Sequence, residues 1–309
     1  MTEAGGSPVS PPQGSRSRGL ALPPLPFYVL KAGVTRAQST VWLLRSRRRH
    51  AGDGIRILFY HRVSDDRDEL AVTRRNFRLQ MDYLADEGYR VVDVLEAATL
   101  LDAGDPPEKT VALSFDDGYR DVAEHAAPLL AQHGFRATVF VAPGVTDGTA
   151  SFAWYRQQPP LLGWDEIKAL DADSALGFEA HSLTHPNLLE LSDEDARREI
   201  SGSKLALEER LGRAVTAFSY PAGLFGPREQ KLVAEAGFRV AVSCEPGVNE
   251  PGTERLALRR RQIDARDRLL DFRAKVGGGH DSPPPFRGAY RRFRFGADDP
   301  RPIAASSRR

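Results

Sequence analysis

Ser114-Phe115-Asp116-Asp117-Gly118-Tyr119-Arg120-Asp121 is the stretch on which the reading of this chain turns. Before it, Thr110-Val111-Ala112-Leu113 is a short β-branched and apolar run, the pattern of a buried strand. After it, Val122 to His133 has amphipathic spacing and ends at Gly134, the pattern of a helix with its stop signal. Two adjacent carboxylates therefore sit where a strand gives way to a loop. Successive strand side chains point to opposite faces, so Asp116 and Asp117 can do separate work. Gly118 permits the sharp turn that follows. Taken alone, the tetrapeptide reads equally well as a solvated Asp-Asp-Gly turn.

Outward from that stretch the same alternation repeats from about residue 54 to residue 276. Strands are expected at Ile55 to Tyr60, Tyr89 to Val92, Val111 to Phe115, Ala137 to Val141, Leu176 to Ala180, Ala217 to Tyr220, Val240 to Ser243 and Leu256 to Arg260. Helices fall between them, among them Phe77 to Glu87, Trp164 to Leu170, Asp193 to Leu211 with Ser192 as N-cap, and Leu269 to Val276. Strands alternating with helices predict a parallel α/β domain. Polar residues gather after the strands: His61, Asp116 and Asp117, His181, and Pro221 to Gly223. Chemistry collected at the carboxyl ends of parallel strands is what a (β/α) barrel produces. No Gly-rich phosphate or dinucleotide loop follows the first strand, which argues against a nucleotide-binding fold.

His181-Ser182-Leu183-Thr184-His185-Pro186 follows another strand. Two imidazoles four residues apart share a face if the segment makes a helical turn, and can then converge on one ion. Two histidines and one carboxylate make a three-ligand site with a position open to water, the catalytic rather than the structural arrangement. The alternative is two polar loop histidines with no common ligand.

The combination of Leu113-Ser114-Phe115-Asp116-Asp117-Gly118, His181-Ser182-Leu183-Thr184-His185-Pro186-Asn187-Leu188 and Ser219-Tyr220-Pro221-Ala222-Gly223 resembles the polysaccharide deacetylases with a NodB homology domain, over about residues 54–276. The resemblance implies a distorted (β/α) barrel and hydrolysis of N-acetyl groups on GlcNAc-type glycans or their precursors. It implies a divalent metal, zinc first and cobalt, manganese or nickel as alternatives, held by Asp117, His181 and His185. It also makes Asp116 the general base. Tyr220, Pro221, Ala222, Trp164, Leu188 and Arg260 become candidates for the oxyanion site and groove; for Trp164 and Leu188 core packing is the equal alternative. Trp154 and Tyr155 suit either stacking on a sugar ring or anchoring their loop.

The third motif departs from the family pattern. Ser219 stands where an Arg commonly steadies the base, and Ala222 where an aromatic is common. Arg260 is one source of the missing charge; a solvated Arg259-Arg260-Arg261 run is the other reading. The leaving amine needs a general acid. His61, at the end of the first strand, is preferred, as in a permuted Tyr-His subset of the family, over His280 in the Gly-rich segment near the C-terminus.

Forty-three Lys and Arg against 42 Asp and Glu leave no global field for nucleic acid. One cysteine, Cys244, excludes an internal disulfide framework. The expected layout is a tail with a basic amphipathic helix over residues 1–50, the deacetylase domain over 51–276, and a Gly, Pro and Arg rich tail over 277–309. The helix, Phe27 to Arg49, is expected to pack on the domain, with peripheral contact to an anionic membrane as the alternative. Neither a signal peptide nor a transmembrane segment is expected, which points to a cytoplasmic or inner-face location; a parallel domain of this size is stable alone, so a monomer acting on carbohydrate is expected. Two other functions fit the same residues: an amidase of this fold acting on a non-sugar amide, and a glycan-binding protein with weak catalysis.

Overall fold

The computed structural model of the protein describes residues 25–45, 54–172 and 175–282. Most of the expected tails, 1–24 and 283–309, and the basic run 46–50 lie outside the described residues. The strands are β1 (Arg56–Tyr60), β2 (Arg62–Val63), β3 (Ala71–Val72), β4 (Arg90–Val92), β5 (Thr110–Asp116), β6 (Ala137–Val141), β7 (Leu176–Ala180), β8 (Ala217–Ser219), β9 (Val240–Val242) and β10 (Arg260–Gln262). The α-helices are α1 (Leu25–Arg45), α2 (Arg74–Asp86), α3 (Val94–Asp102), α4 (Ala127–His133), α5 (Pro143–Thr146), α6 (Trp164–Ala172), α7 (Asp193–Leu211), α8 (Pro227–Glu235) and α9 (Leu269–Val276).

Eight strands form one sheet in the order β10-β1-β5-β6-β7-β8-β9, with β4 added beside β5, and every pairing is parallel. Leu258 draws the two ends of that order together. Its N–H donates to Ala241 and its carbonyl accepts from the N–H of Ser243, just before β10 begins. The sheet is thereby nearly closed, and the fold is the distorted (β/α) barrel that the sequence predicts. The thinnest seam is between β7 and β8, which share one register pair, Ala180 with Phe218. Glu179 reinforces it: its carboxylate accepts from the N–H groups of Thr216 and Ala217 at 2.8 and 2.6 Å, with Arg213 balancing the charge at 3.0 Å. These contacts supply the partners that a buried carboxylate and free strand N–H groups both require.

The period-two rule sorts β5 into two layers. Val111, Leu113 and Phe115 face the core between sheet and helices, where Phe77, Met81 and Leu130 meet them. Ala112 faces inward with Ile57, Phe140 and Val242. The helix α3 adds Val94, Ala97, Ala98 and Leu101 to this inner cluster, and its strand β4 pairs with the first residues of β5. The barrel is thus filled at the end opposite Asp116, which leaves the carboxyl end for chemistry.

Three expectations are corrected. The segment expected as a strand at Leu256 to Arg260 is a 3-10 turn (Arg255–Ala257) followed by β10. The expected single helix from Val122 opens with a π-type turn, Val122–Ala126, where Pro128 removes one N–H from the regular ladder. Finally, residues 277–282 are not tail-like, because His280 is buried. The expected basic helix is present as α1 and packs on α9, with Arg36 Nη2 2.7 Å from Asp271 Oδ2.

Candidate active site

Asp116 ends β5 and points into the barrel mouth. Arg260, at the start of β10, is fully buried and grips it through two parallel bonds, Nη1 to Oδ1 at 2.7 Å and Nη2 to Oδ2 at 2.8 Å. The remaining Arg260 donors reach the Ser243 carbonyl, Ser114 Oγ and Ser219 Oγ at 2.9, 3.2 and 2.9 Å. Its Cζ lies 4.4 Å from the centre of the Phe59 ring. Every donor of the rigid guanidinium fork therefore has an acceptor, which is what a buried cation demands. The reading of residues 259–261 as a solvated run does not hold for Arg260. Ser219 stands where the family commonly has Arg, and here its small hydroxyl accepts from an Arg that arrives from another strand. Burial alone would push the Asp116 pKa up, but Arg260, then His181, hold it down at about 2.

Asp117 adopts a left-handed backbone, φ 74°, a conformation uncommon outside glycine, Asn and Asp. That turn separates it from Asp116 and aims it at the histidine loop. Tyr119 Oη donates to Asp117 Oδ2 at 3.2 Å, which leaves Oδ1 buried with no hydrogen-bond partner. His181 Nε2 and His185 Nε2 face that oxygen at 3.6 and 3.8 Å. His181 Nδ1 lies 2.8 Å from the Ser219 carbonyl, which can only accept, so Nδ1 carries the proton and Nε2 presents a lone pair. The expected helical turn is absent. Ser182 and His185 both have positive φ, 59° and 62°, and Ser182 Oγ accepts from the His185 N–H at 3.0 Å. A tight loop, rather than a helix face, brings the two imidazole rings to 4.6 Å.

An orphaned carboxylate oxygen facing two imidazole nitrogens fits a divalent cation. The separations are too long for hydrogen bonds and suit donors sharing one ion at about 2.0–2.2 Å each. The electrostatics agree. Burial, then Asp116, raises the Asp117 pKa, and burial lowers those of His181 and His185. All three groups are thus pressed toward their neutral forms, and a bound cation is the charge that would reverse the pressure on Asp117.

His61 follows β1 and is half-buried, with its ring 5.8 Å from that of Phe59. Burial, offset by Asp116 and reinforced by Arg260 and His181, brings its pKa down to about 4. It therefore belongs to the electrostatic neighbourhood of the carboxylate and the histidine pair. Its strand is side by side with β10, Ile57 registering with Arg260. The alternative acid, His280, lies elsewhere, with Nε2 3.0 Å from Ser39 Oγ and Nδ1 3.2 Å from Arg261.

The groove candidates divide. Ala222 is half-buried in the turn Pro221–Gly223 with φ 53°. The N–H groups of Gly223 and Leu224 close that turn onto the carbonyls of Tyr220 and Pro221, leaving the Ala222 N–H as its candidate oxyanion donor. Tyr220 is fully buried, stacked on Phe225 at 4.4 Å and bonded to the Leu256 carbonyl. Leu188 is core. Trp164 is held by Asp147 and Arg210. Tyr220 and Leu188 are thus core residues, the packing alternative given for Leu188. The reading missed Tyr119, although its place two residues past Asp117 was visible, and Ser114, which shares a strand face with Asp116. In the long loop, Phe152 and Trp154 make T-shaped contacts with His185, ring centres 5.4 and 5.1 Å apart.

A nearly closed parallel barrel carrying a clamped acid beside an Asp-His-His cluster defines a NodB-type hydrolase scaffold. The sequence profile of the family described as polysaccharide deacetylase matches residues 103–241. It is 29% identical over 208 residues to the Bacillus subtilis protein YxkH, covering 67% of this chain and 70% of that one. It is 21% identical over 204 residues to the poly-beta-1,6-N-acetyl-D-glucosamine N-deacetylase of Staphylococcus aureus, covering 63% and 69%. Among solved structures, IcaB from Ammonifex degensii superposes with a TM-score of 0.63 at 27% identity, covering 69% of this chain and 93% of that one. The Streptococcus pyogenes deacetylase PplD gives 0.64 at 23% identity, covering 72% and 98%.

Proposed function

We propose that the protein is a metal-dependent hydrolase that removes N-acetyl groups from a GlcNAc-type polysaccharide, oligosaccharide or glycoconjugate precursor. The observation that carries this reading is the buried, unpartnered Asp117 Oδ1 facing two imidazole nitrogens, beside a second carboxylate held ionised by Arg260. Asp117, His181 and His185 would hold the ion, with zinc the first choice for two nitrogens and one oxygen. When bound, such an ion polarises an acyl carbonyl and lowers the pKa of water toward about 7.

The chain's own residues supply the rest. Asp116 takes a proton as water attacks the acyl carbon. Arg260 fixes the orientation of that carboxylate and keeps it charged. The Ala222 N–H donates to the developing oxyanion. His61, uncharged at neutral pH, passes to the leaving amine the proton that Asp116 took from water, so that the C–N bond breaks to free amine and carboxylate. Trp154 and Tyr155, on the loop beside His185, offer flat faces to a sugar ring. The named activity of the S. aureus enzyme supports a carbohydrate amide as substrate.

The assay is acetate release from chito-oligosaccharides and from poly-β-1,6-GlcNAc. Asp116→Asn should abolish turnover while the protein still binds one divalent ion. His61→Gln should lower kcat by about 10²–10⁴ without loss of metal. Wild-type activity that survives complete chelation would overturn the proposal.

A further inference from the structure

We propose that the outward face of α1 docks on an anionic lipid surface and seats the protein there without crossing it. The helix turns polar groups inward. Lys31 Nζ is 3.0 Å from Asp264 Oδ1, Arg36 pairs with Asp271, and buried Ser39 meets His280. Trp42 packs inward against Gly277 and Gly279, but other apolar side chains turn outward: Leu30, Val41 and Leu44 are 65%, 46% and 75% exposed. With exposed Ala37 between them, their spacing places them along one helix face. Of the seven large exposed hydrophobic side chains among the described residues, five lie on this helix, Val29 and Leu43 being the others. Single exposed leucines are ordinary, but a stripe along one helix marks an interaction surface.

Charge selects the occupant. Residues 4–52 contain eight Lys and Arg and no Asp or Glu, in a chain whose formal net charge is +1. Two of the eight, Lys31 and Arg36, are paired with carboxylates of the domain. The other six flank the stripe in sequence, Arg16 and Arg18 before it and Arg45, Arg47, Arg48 and Arg49 after it. A second copy meeting this face about a two-fold axis would bring like charges together, whereas an anionic leaflet attracts them at about 1 kcal/mol per Lys or Arg near its surface. No helix among the described residues is long and apolar enough to cross a membrane, so the stripe would lie in the interface.

The test is flotation of the full chain with vesicles of phosphatidylcholine alone and of phosphatidylcholine with phosphatidylglycerol. Wild-type protein should prefer the anionic vesicles by about tenfold or more and be released by high salt. Leu30→Asp, Val41→Asp and Leu44→Asp together should reduce that binding by about tenfold or more. Leu44→Asp alone should reduce it about threefold, a second reading should the triple variant lose the helix. Leu205→Asp, at an exposed leucine on α7, should leave it unchanged. Equal binding to both vesicle types, no binding to either, or undiminished binding by the stripe variants would overturn the proposal. So would a lipid-free dimer that the triple variant dissociates, because the face would then belong to a second copy.

Discussion

Arg260 and Asp116, 144 residues apart in the chain, meet through two bonds of 2.7 and 2.8 Å with both side chains buried. Barrel closure makes this contact, since β1 lies between the strands that carry the two residues. The pair fixes the charge and orientation of the proposed base.

Arg260→Met should therefore cost about 3–5 kcal/mol of stability, because it strands a buried carboxylate. The sign of the pH effect follows from the depressed pKa. Held at about 2 against an ordinary carboxyl value of 3.8, Asp116 contributes stability that is complete above 3.8 and is lost as pH falls through 2. In the variant the acid limb of kcat/KM should move to higher pH. Denaturant midpoints and a pH–rate profile measure both.

Tyr119→Phe should leave the fold within about 1 kcal/mol of wild type while weakening metal binding by about 10–100-fold, because the hydroxyl on Oδ2 is what turns Oδ1 toward the histidines. Competition with a chromophoric chelator reads the affinity directly.

The elements of the barrel were legible wherever a local pattern decides them. Ser192 caps α7 through its hydroxyl, and β6 and β7 run between the residues expected. The His181–His185 pair was legible from its place after β7, and Asp117 was added to it by the resemblance of the Asp-Asp-Gly and His-Ser-Leu-Thr-His motifs to the deacetylases. What escaped depended on distance. Whether Arg260 is a surface charge or a buried clamp is decided by strand closure, which no local window contains. The His181–His185 loop was misread as a helical turn because spacing alone does not reveal two left-handed residues. His280 was misread as tail because its partner, Ser39, lies 241 residues away.

That partner supports a pH prediction. Arg261 can only donate, so His280 Nδ1 must accept, and Nε2–H donates to Ser39 Oγ, which itself donates to the Thr35 carbonyl. A proton on Nδ1 would face Arg261. Burial, then Arg261 and Lys275, lower the His280 pKa from 6.5 to about 3. Stability from the neutral ring is thus complete above 6.5 and declines as pH falls from there toward 3, amounting to about 2 kcal/mol by roughly pH 5. His280→Gln retains an N–H donor for Ser39 and does not titrate. Its denaturant midpoint should fall less than that of wild type between neutral pH and roughly pH 5.

The central claim concerns one cation held by three side chains, and calorimetric titration of zinc into chelator-treated protein tests it most directly. One ion should bind per wild-type chain. Asp117→Ala and His185→Ala should each weaken binding by more than about 100-fold, beyond what losing an outer-shell partner costs, while Asp116→Asn still binds one. Undiminished binding by Asp117→Ala or His185→Ala, or no binding by wild type, would contradict the account.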